Sequence, residues 1–184
     1  MADSSGTLDG VVRLNEGVNV RRRRRRLYAV TTCVLAGIML LAVIDAITPI
    51  GVYGVHSAHV RARGGGYELD VRYGSVTRPA LATPFDIEVV KPGGFDGPVM
   101  LAVSSEYLAI WDENGLDPEP IEATTDAEWT YWTFEPPREG DTMVVSFDAR
   151  IEPAAQQGKK GTVAVLDASG ASLVEVAFRT RIWP

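Results

Sequence analysis

The chain has 184 residues and a formal net charge of −6, but the charge is unevenly distributed. Residues 1–26 carry a net charge of +4, whereas residues 64–184 contain nine basic and twenty acidic residues and carry −11. The length allows about one globular domain plus an appendage and not two full domains. The acidic C-terminal part argues against a nucleic-acid-binding domain, because such a domain needs a basic surface that neutralises phosphates.

A run of six arginines is followed directly by an uncharged apolar segment, LYAVTTCVLAGIMLLAVI. As an α-helix this segment would measure about 27 Å, close to the ~30 Å hydrocarbon core of a bilayer. A basic cluster holds the adjacent end of a membrane span in the cytoplasm. The pattern therefore predicts a cytoplasmic tail over residues 1–26, a transmembrane helix over residues 27–50 and an N-in, C-out orientation. The topology signal consists of Arg21, Arg22, Arg23, Arg24, Arg25 and Arg26.

Other readings of the N-terminal region stay open. The arginines could bind nucleic acid or anionic lipid. The apolar segment could belong to a cleaved signal peptide, although a good small-x-small cleavage site does not follow it. A twin-arginine export signal would share only the arginines with this sequence.

Four residues of the apolar segment and its end are candidates for contacts within the membrane: Ala29, Cys33, Gly37 and Asp45. The first three are small and spaced by four, which permits close approach of a second helix. A carboxylate in hydrocarbon would need a partner, whereas at the headgroup level it would not. The single cysteine excludes an intramolecular disulfide.

Residues 51–66 are predicted to form a flexible juxtamembrane linker, because glycines punctuate this stretch and three of them end it. The only histidines, His56 and His59, lie here. Two ligands are too few for a closed zinc site, so no metal site is predicted.

From Tyr67 onward the periodicity changes to an alternation of apolar and polar residues, which is typical of half-buried strands. Seven segments show it: YELDVRY, PFDIEVV, PVMLAV, EWTYWTF, MVVSFDARI, TVAVLDA and SLVEVAFRTRI. Together they predict an all-β domain over residues 67–184, an antiparallel β-sandwich of about seven or eight strands. A small closed barrel is the alternative.

This pattern of short strands and frequent turn signals, from Tyr67 to Pro184, resembles the immunoglobulin and fibronectin type III superfold of many bacterial extracytoplasmic modules. The cysteine pair of antibody domains is missing. The resemblance implies an immunoglobulin-like sandwich and carries no activity with it. Arginine outnumbers lysine fifteen to three, which is typical of a GC-rich bacterial genome.

Catalytic motifs are absent from the sequence of the predicted domain. It contains no histidine that could serve a nucleophile and no G-x-S-x-G, P-loop or G-x-G-x-x-G motif. We therefore expect neither an enzyme nor a cofactor. The acidic stretch DENGLDPEP, predicted as a loop, offers Asp112 and Asp117 for an interaction or for Ca²⁺, although its spacing is not that of an EF-hand.

The segment EWTYWTF has aromatic residues on both faces of a predicted strand: Trp129 and Tyr131 on one, Trp132 and Phe134 on the other. A half-buried strand needs only one apolar face. We expect one pair to lie in the core and the other to form a binding platform, unless another element covers it.

The sequence thus predicts a non-enzymatic, single-pass protein of the cell membrane that binds a partner in the cell envelope through an extracytoplasmic β-sandwich. It names no partner and leaves the oligomeric state open. The alternative is a membrane-tethered module that binds polysaccharide or Ca²⁺.

Overall fold

The computed structural model describes residues 24–44 and 54–183, and the chain divides into an N-terminal unit, residues 1–48, and a C-terminal unit, residues 49–184. The predictions made for Arg21, Arg22, Arg23 and Asp45 concern positions outside the described residues.

The N-terminal unit contains a helix, α1, that spans Arg24–Ile44. Its 21 residues extend about 32 Å, which is sufficient to cross a bilayer. Apolar side chains cover its surface, and the Thr31 hydroxyl donates a hydrogen bond to the Leu27 carbonyl oxygen at 3.0 Å, so that polar group is satisfied within the helix. Residues 24–44 therefore form the expected apolar helix of membrane-spanning length.

The C-terminal unit is built from strands and one short helical turn, α2, over Ser105–Leu108. Eleven strands occur in its described residues: β1 His56–Gly64, β2 Tyr67–Thr77, β3 Phe85–Val90, β4 Val99–Ser104, β5 Trp111–Asp117, β6 Glu122–Thr125, β7 Trp129–Phe134, β8 Thr142–Ile151, β9 Lys160–Leu166, β10 Ser172–Arg179 and β11 Arg181–Ile182.

The strands form two sheets. The first sheet has the order β1-β2-β3-β8-β5, with β11 pairing parallel to β2. The second sheet has the order β10-β9-β4-β7-β6, and all its neighbours are antiparallel. The all-β sandwich preceded by a helix is confirmed. Two sheets with separate hydrogen bonding replace the closed-barrel alternative, which is wrong.

Alternation along the strands puts one face of each sheet into a shared core. In β8, for example, every second residue from Met143 to Ile151 is buried. Phe85 is fully buried at the centre, where its ring centroid lies 4.4 Å from that of Phe147 and 5.6 Å from that of Trp111. These aromatic contacts join β3, β8 and β5 from within the core.

The predicted linker over residues 51–66 is wrong for residues 56–64, which form β1 and pair with β2 along their whole length. Gly65 and Gly66 make a two-residue turn with φ values of 56° and 83°, the left-handed geometry that a tight hairpin requires. Inward positions of β1 hold residues such as Ala58 and Ala62, so its apolar alternation is weak. On this strand His56 and His59 point to opposite faces.

The predicted loop DENGLDPEP is also wrong for its first six residues, because Asp112–Asp117 belongs to β5, which pairs with β8 across a bulge. β6 is a further strand that the sequence did not indicate, and all four of its residues are exposed. Both are edge strands, where polar side chains are tolerated because one face and one edge meet solvent.

Candidate functional site

β7 divides its aromatic side chains between the core and the surface. Trp132 is 4% exposed and Phe134 is fully buried, and the Trp132 ring packs edge-on against Phe147 at 5.5 Å between centroids. Trp129 and Tyr131 lie on the outer face of the second sheet and are only half-buried. Part of their apolar surface therefore remains in contact with solvent.

The two outward rings form one wall of a shallow depression, which we call the aromatic trough. Its volume is about 170 Å³. It is lined by Ala102, Trp129, Tyr131, Ala164, Leu166, Gly170, Ser172 and Glu175.

Strand register explains the shape of the aromatic trough. Tyr131 pairs with Ala102, Ala102 with Ala164, and Ala164 with Glu175, so the four lie in one row across β7, β4, β9 and β10. Three strand spacings place the backbones of Tyr131 and Glu175 about 14 Å apart. The alanines between them form a low floor and are only 2% exposed, because taller neighbours stand on both sides.

The turn between β6 and β7 fixes the aromatic wall. Asp126 Oδ1 accepts hydrogen bonds from the backbone N–H groups of Glu128 at 2.8 Å and Trp129 at 2.7 Å. The Tyr131 hydroxyl donates to Asp126 Oδ2 at 3.0 Å. One carboxylate thus ties the turn to a ring of the trough and restricts the orientation of that ring.

These hydrogen bonds shift two pKa values in opposite directions. The backbone N–H groups of Trp129 and Glu128 favour the charged carboxylate and lower the pKa of Asp126. The hydrogen bond to the Asp126 carboxylate, which favours the neutral phenol, raises the pKa of Tyr131. At neutral pH the pair therefore consists of a carboxylate and a protonated phenol.

The rim of the aromatic trough is acidic. Glu175 is exposed on the wall opposite the rings, and Glu128 precedes Trp129 in the turn. On the same face of β10 the next basic side chain is Arg179, four residues beyond Glu175. Four strand residues correspond to about 13 Å, so this cation does not neutralise Glu175 at contact distance.

A larger depression of about 640 Å³ lies on the first sheet and is lined by charged residues. Arg61 Nε lies 2.6 Å from Asp70 Oδ2, and Arg63 Nε lies 2.9 Å from Glu68 Oε1. Because four of the five charged side chains in its lining form these pairs across the strands, this surface offers less to a ligand than its volume suggests. The aromatic trough is the better candidate site.

The remaining candidate residues lie apart from the trough. Asp112 is paired with Arg150 at 2.7 Å, and Asp117 lies opposite Ser146 on the same strand, β8. Arg150 lies four positions beyond Ser146, so the backbones of the two aspartates are about 13 Å apart, too far for their carboxylates to share a calcium ion. Within the described ranges, no group of three or more His, Cys, Asp or Glu side chains could hold a metal.

The candidates in the N-terminal unit lie on α1. Arg24, Arg25 and Arg26 form its first residues. Ala29, Cys33 and Gly37 follow at four-residue intervals along one face, and all three are exposed.

Sequence reasoning missed the parts of the trough outside β7. Glu175 and the two floor alanines come together only through the register of four strands. The available signal was the occurrence of Ala102 and Ala164 at outward positions of apolar segments. Their alignment with Tyr131 could not be predicted, because it depends on the order of the strands in the sheet.

The chain matches no known protein-family model, and no curated protein is significantly similar to it in sequence.

Proposed function

We propose that the chain is a non-enzymatic, single-pass membrane protein whose β-sandwich recognises a protein partner in the cell envelope through the aromatic trough. The observation that carries this proposal is the position of Trp129 and Tyr131. Both rings lie outside the core, on the outer face of a paired strand. Half-exposed Trp and Tyr side chains on a rigid element are the groups that dominate binding energy at protein interfaces.

The size of the aromatic trough favours a partner over a cofactor. Pockets for drug-sized ligands typically enclose about 300–1,000 Å³, whereas the trough encloses about 170 Å³. That space accommodates one side chain or one ring of a larger molecule. We therefore assign the trough the role of an anchor pocket within a wider contact.

Strand order supports an immunoglobulin-like assignment for the sandwich. In that fold one sheet has the order A-B-E-D and the other contains G-F-C. The orders β2-β3-β8-β5 and β10-β9-β4 correspond to these, strand for strand in chain order. The hairpin β6–β7 is an addition between the fourth and fifth of these strands, and it supplies the aromatic wall. We propose an immunoglobulin-like module with the binding element on an inserted hairpin.

The length and composition of α1, together with the arginines that open it, support a location in the cell membrane with the sandwich outside the cytoplasm. Protease added to intact spheroplasts should digest the sandwich and spare an N-terminal tag. Digestion of the tag with protection of the sandwich would overturn this orientation.

Photo-crosslinking in cells tests the binding role. A benzoylphenylalanine at Thr133 stands on the outer face of β7 beside the trough without replacing either ring. The matched control is the same group at Val144, a 45% exposed position on the first sheet. We expect a protease-sensitive adduct from position 133 alone, and its loss when Trp129→Ala is added. Equal adducts at both positions, or none at 133, would contradict the proposal, and a protease-resistant adduct would indicate polysaccharide instead.

A further inference from the structure

The lining of the aromatic trough combines a carboxylate, two aromatic rings and an apolar floor. Among the eight residues that line it, Glu175 is the one with a charged side chain. The opposite wall presents the two aromatic rings, and the alanines of the floor, each 2% exposed, carry no polar side chain. A carboxylate facing aromatic rings across an apolar floor is an arrangement that attracts a cation, because the ring faces and the carboxylate are both negative.

The turn strengthens this attraction at the ring side. The Tyr131 hydroxyl donates to the Asp126 carboxylate, so the oxygen of the phenol becomes more electron-rich and its ring face more negative. Glu128 adds a second carboxylate to the turn, next to Trp129. Negative charge is thus present at both ends of the trough. The C-terminal unit over residues 54–183 has eleven basic and twenty acidic residues, and its net charge of −9 adds a longer-range field that attracts basic partners.

From this geometry we propose, given the partner-binding function above, that the aromatic trough takes an arginine or lysine side chain of a basic segment of the partner. The aliphatic stem lies over Ala102 and Ala164, the cationic head contacts a ring face, and Glu175 accepts its N–H groups. The stem uses the methyl floor and the head uses the carboxylate, so a single side chain satisfies both kinds of lining group.

Two other occupants satisfy the lining less completely. A leucine or phenylalanine would fill the floor but would remove water from the Glu175 carboxylate without giving it a hydrogen bond, which is unfavourable. A neutral sugar ring would stack on an indole and donate a hydrogen bond from a hydroxyl group to Glu175, but it would gain no electrostatic attraction from the acidic rim. Charge is therefore the property that separates the occupants experimentally.

The test uses the full chain in zwitterionic detergent micelles and follows the indole N–H signals of its tryptophans by NMR. The signal of Trp129 is assigned from its loss in Trp129→Phe. The probe is N-acetylargininamide, and its neutral counterpart is N-acetylcitrullinamide, which has nearly the same shape. We expect a saturable shift of the Trp129 signal with the arginine probe and a much smaller one with the citrulline probe.

Charge variants locate the interaction. Glu175→Gln should weaken the arginine probe by about two- to fivefold, the effect expected for one exposed charge contact. Glu139→Gln removes an exposed carboxylate from the β7–β8 turn and should leave binding unchanged. Equal shifts from both probes, or equal effects of the two variants, would overturn the inference.

The outcome also separates this inference from the binding role itself. If position 133 still forms its adduct but the arginine probe produces no saturable shift, the trough binds a partner through something other than a cation, and this inference fails alone. If the adduct is also missing, the proposed function fails with it.

Discussion

The two outer faces of the sandwich differ in the kinds of side chain that they expose to solvent. On the first sheet, outward residues of β1, β2 and β3 are mostly charged, and they pair across the strands: Arg61 with Asp70, Arg63 with Glu68 and Arg72 with Asp86. On the second sheet the corresponding row runs from Tyr131 over two alanines to Glu175.

The two faces differ in how completely their exposed side chains find partners within the sheet. Cross-strand pairs of opposite charge stabilise a solvated face modestly and leave few groups unmatched. The aromatic trough has no such internal match, because its rings meet solvent and its carboxylate faces them across a gap. The first face is thus matched internally, whereas the second keeps an apolar surface and a carboxylate accessible, as the proposed binding role requires.

The largest difference in stability is expected between substitutions on the two faces of β7, one in the core and one on the surface. Trp132→Ala removes a core side chain and should lower the free energy of unfolding by about 3–5 kcal/mol. Trp129→Ala removes a half-exposed side chain and should lower it by less than about 1 kcal/mol. Both values are measured by urea unfolding of the full chain in micelles, followed by circular dichroism at β-sheet wavelengths.

The adduct at position 133 supplies the second measurement for this pair. Trp129→Ala should abolish it while the fold survives. If Trp129→Ala is as destabilising as Trp132→Ala, the outward indole is structural and the distinction between the two faces of β7 collapses.

Filling the floor of the aromatic trough should block binding with a smaller change in stability. Ala164 is 2% exposed, and Ala164→Leu adds volume that points into the aromatic trough of about 170 Å³. We therefore expect the free energy of unfolding to fall by less than about 2 kcal/mol and the adduct at position 133 to disappear. Ala177→Leu, on the same outer face at an exposed position of β10, is the control and should leave the adduct intact. Persistence of the adduct in Ala164→Leu would show that the floor is not part of the contact.

Much of the fold could be predicted from alternation alone. The seven segments identified in the sequence correspond to β2, β3, β4, β7, β8, β9 and β10, because these strands bury one face and so carry a strong apolar period. The strands β1, β5 and β6 lie at sheet edges and bury little. Their hydrogen bonds come from the neighbouring strand rather than from an apolar pattern, so composition alone suggested linker or loop.

The candidate site also contains residues that the sequence could predict and one that it could not. Trp129 and Tyr131 could be singled out because aromatic residues on both faces of one strand exceed what a half-buried strand requires. Glu175 could not be singled out, because in the alternating pattern of β10 it is one solvent-facing position among several. Its placement opposite the rings depends on sheet order, which is a property of the whole domain.

The first face offers a prediction of smaller magnitude. Arg61 faces Asp70, and Asp70 lies directly opposite Glu88, a pair of like charges that the guanidinium compensates. The same carboxylates raise the pKa of Arg61, with the hydrogen bond to Asp70 as the largest cause. Arg61→Met should lower the thermal midpoint less than Trp132→Ala does, and high salt should shrink the loss because it screens exposed charges. The adduct at position 133 should not change, and its loss would mean that the two faces act together.

The smallest effect is expected at the turn that holds the aromatic wall, and it depends on pH. The pKa of Asp126 is lowered in the folded chain, so its carboxylate stabilises the fold at every pH above the ordinary aspartate value of about 3.9. That contribution is lost as the pH falls through the lower folded pKa, because the protonated acid accepts the backbone N–H groups of Glu128 and Trp129 less well. Asp126→Asn keeps an acceptor but removes the charge. The difference in thermal midpoint between the original chain and Asp126→Asn should therefore be constant from neutral pH down to about 5 and vanish below the folded pKa of Asp126.

The same substitution should act on the ring. Without the Asp126 charge, the pKa of Tyr131 should fall toward the ordinary tyrosine value near 10, because ionisation of the phenol no longer opposes a neighbouring carboxylate and no longer breaks a charged hydrogen bond. The titration of the Tyr131 ring carbon by NMR measures this directly. An unchanged pKa of Tyr131 in Asp126→Asn would mean that the turn does not hold the ring. The wall of the aromatic trough would then owe its position to the neighbouring strands alone.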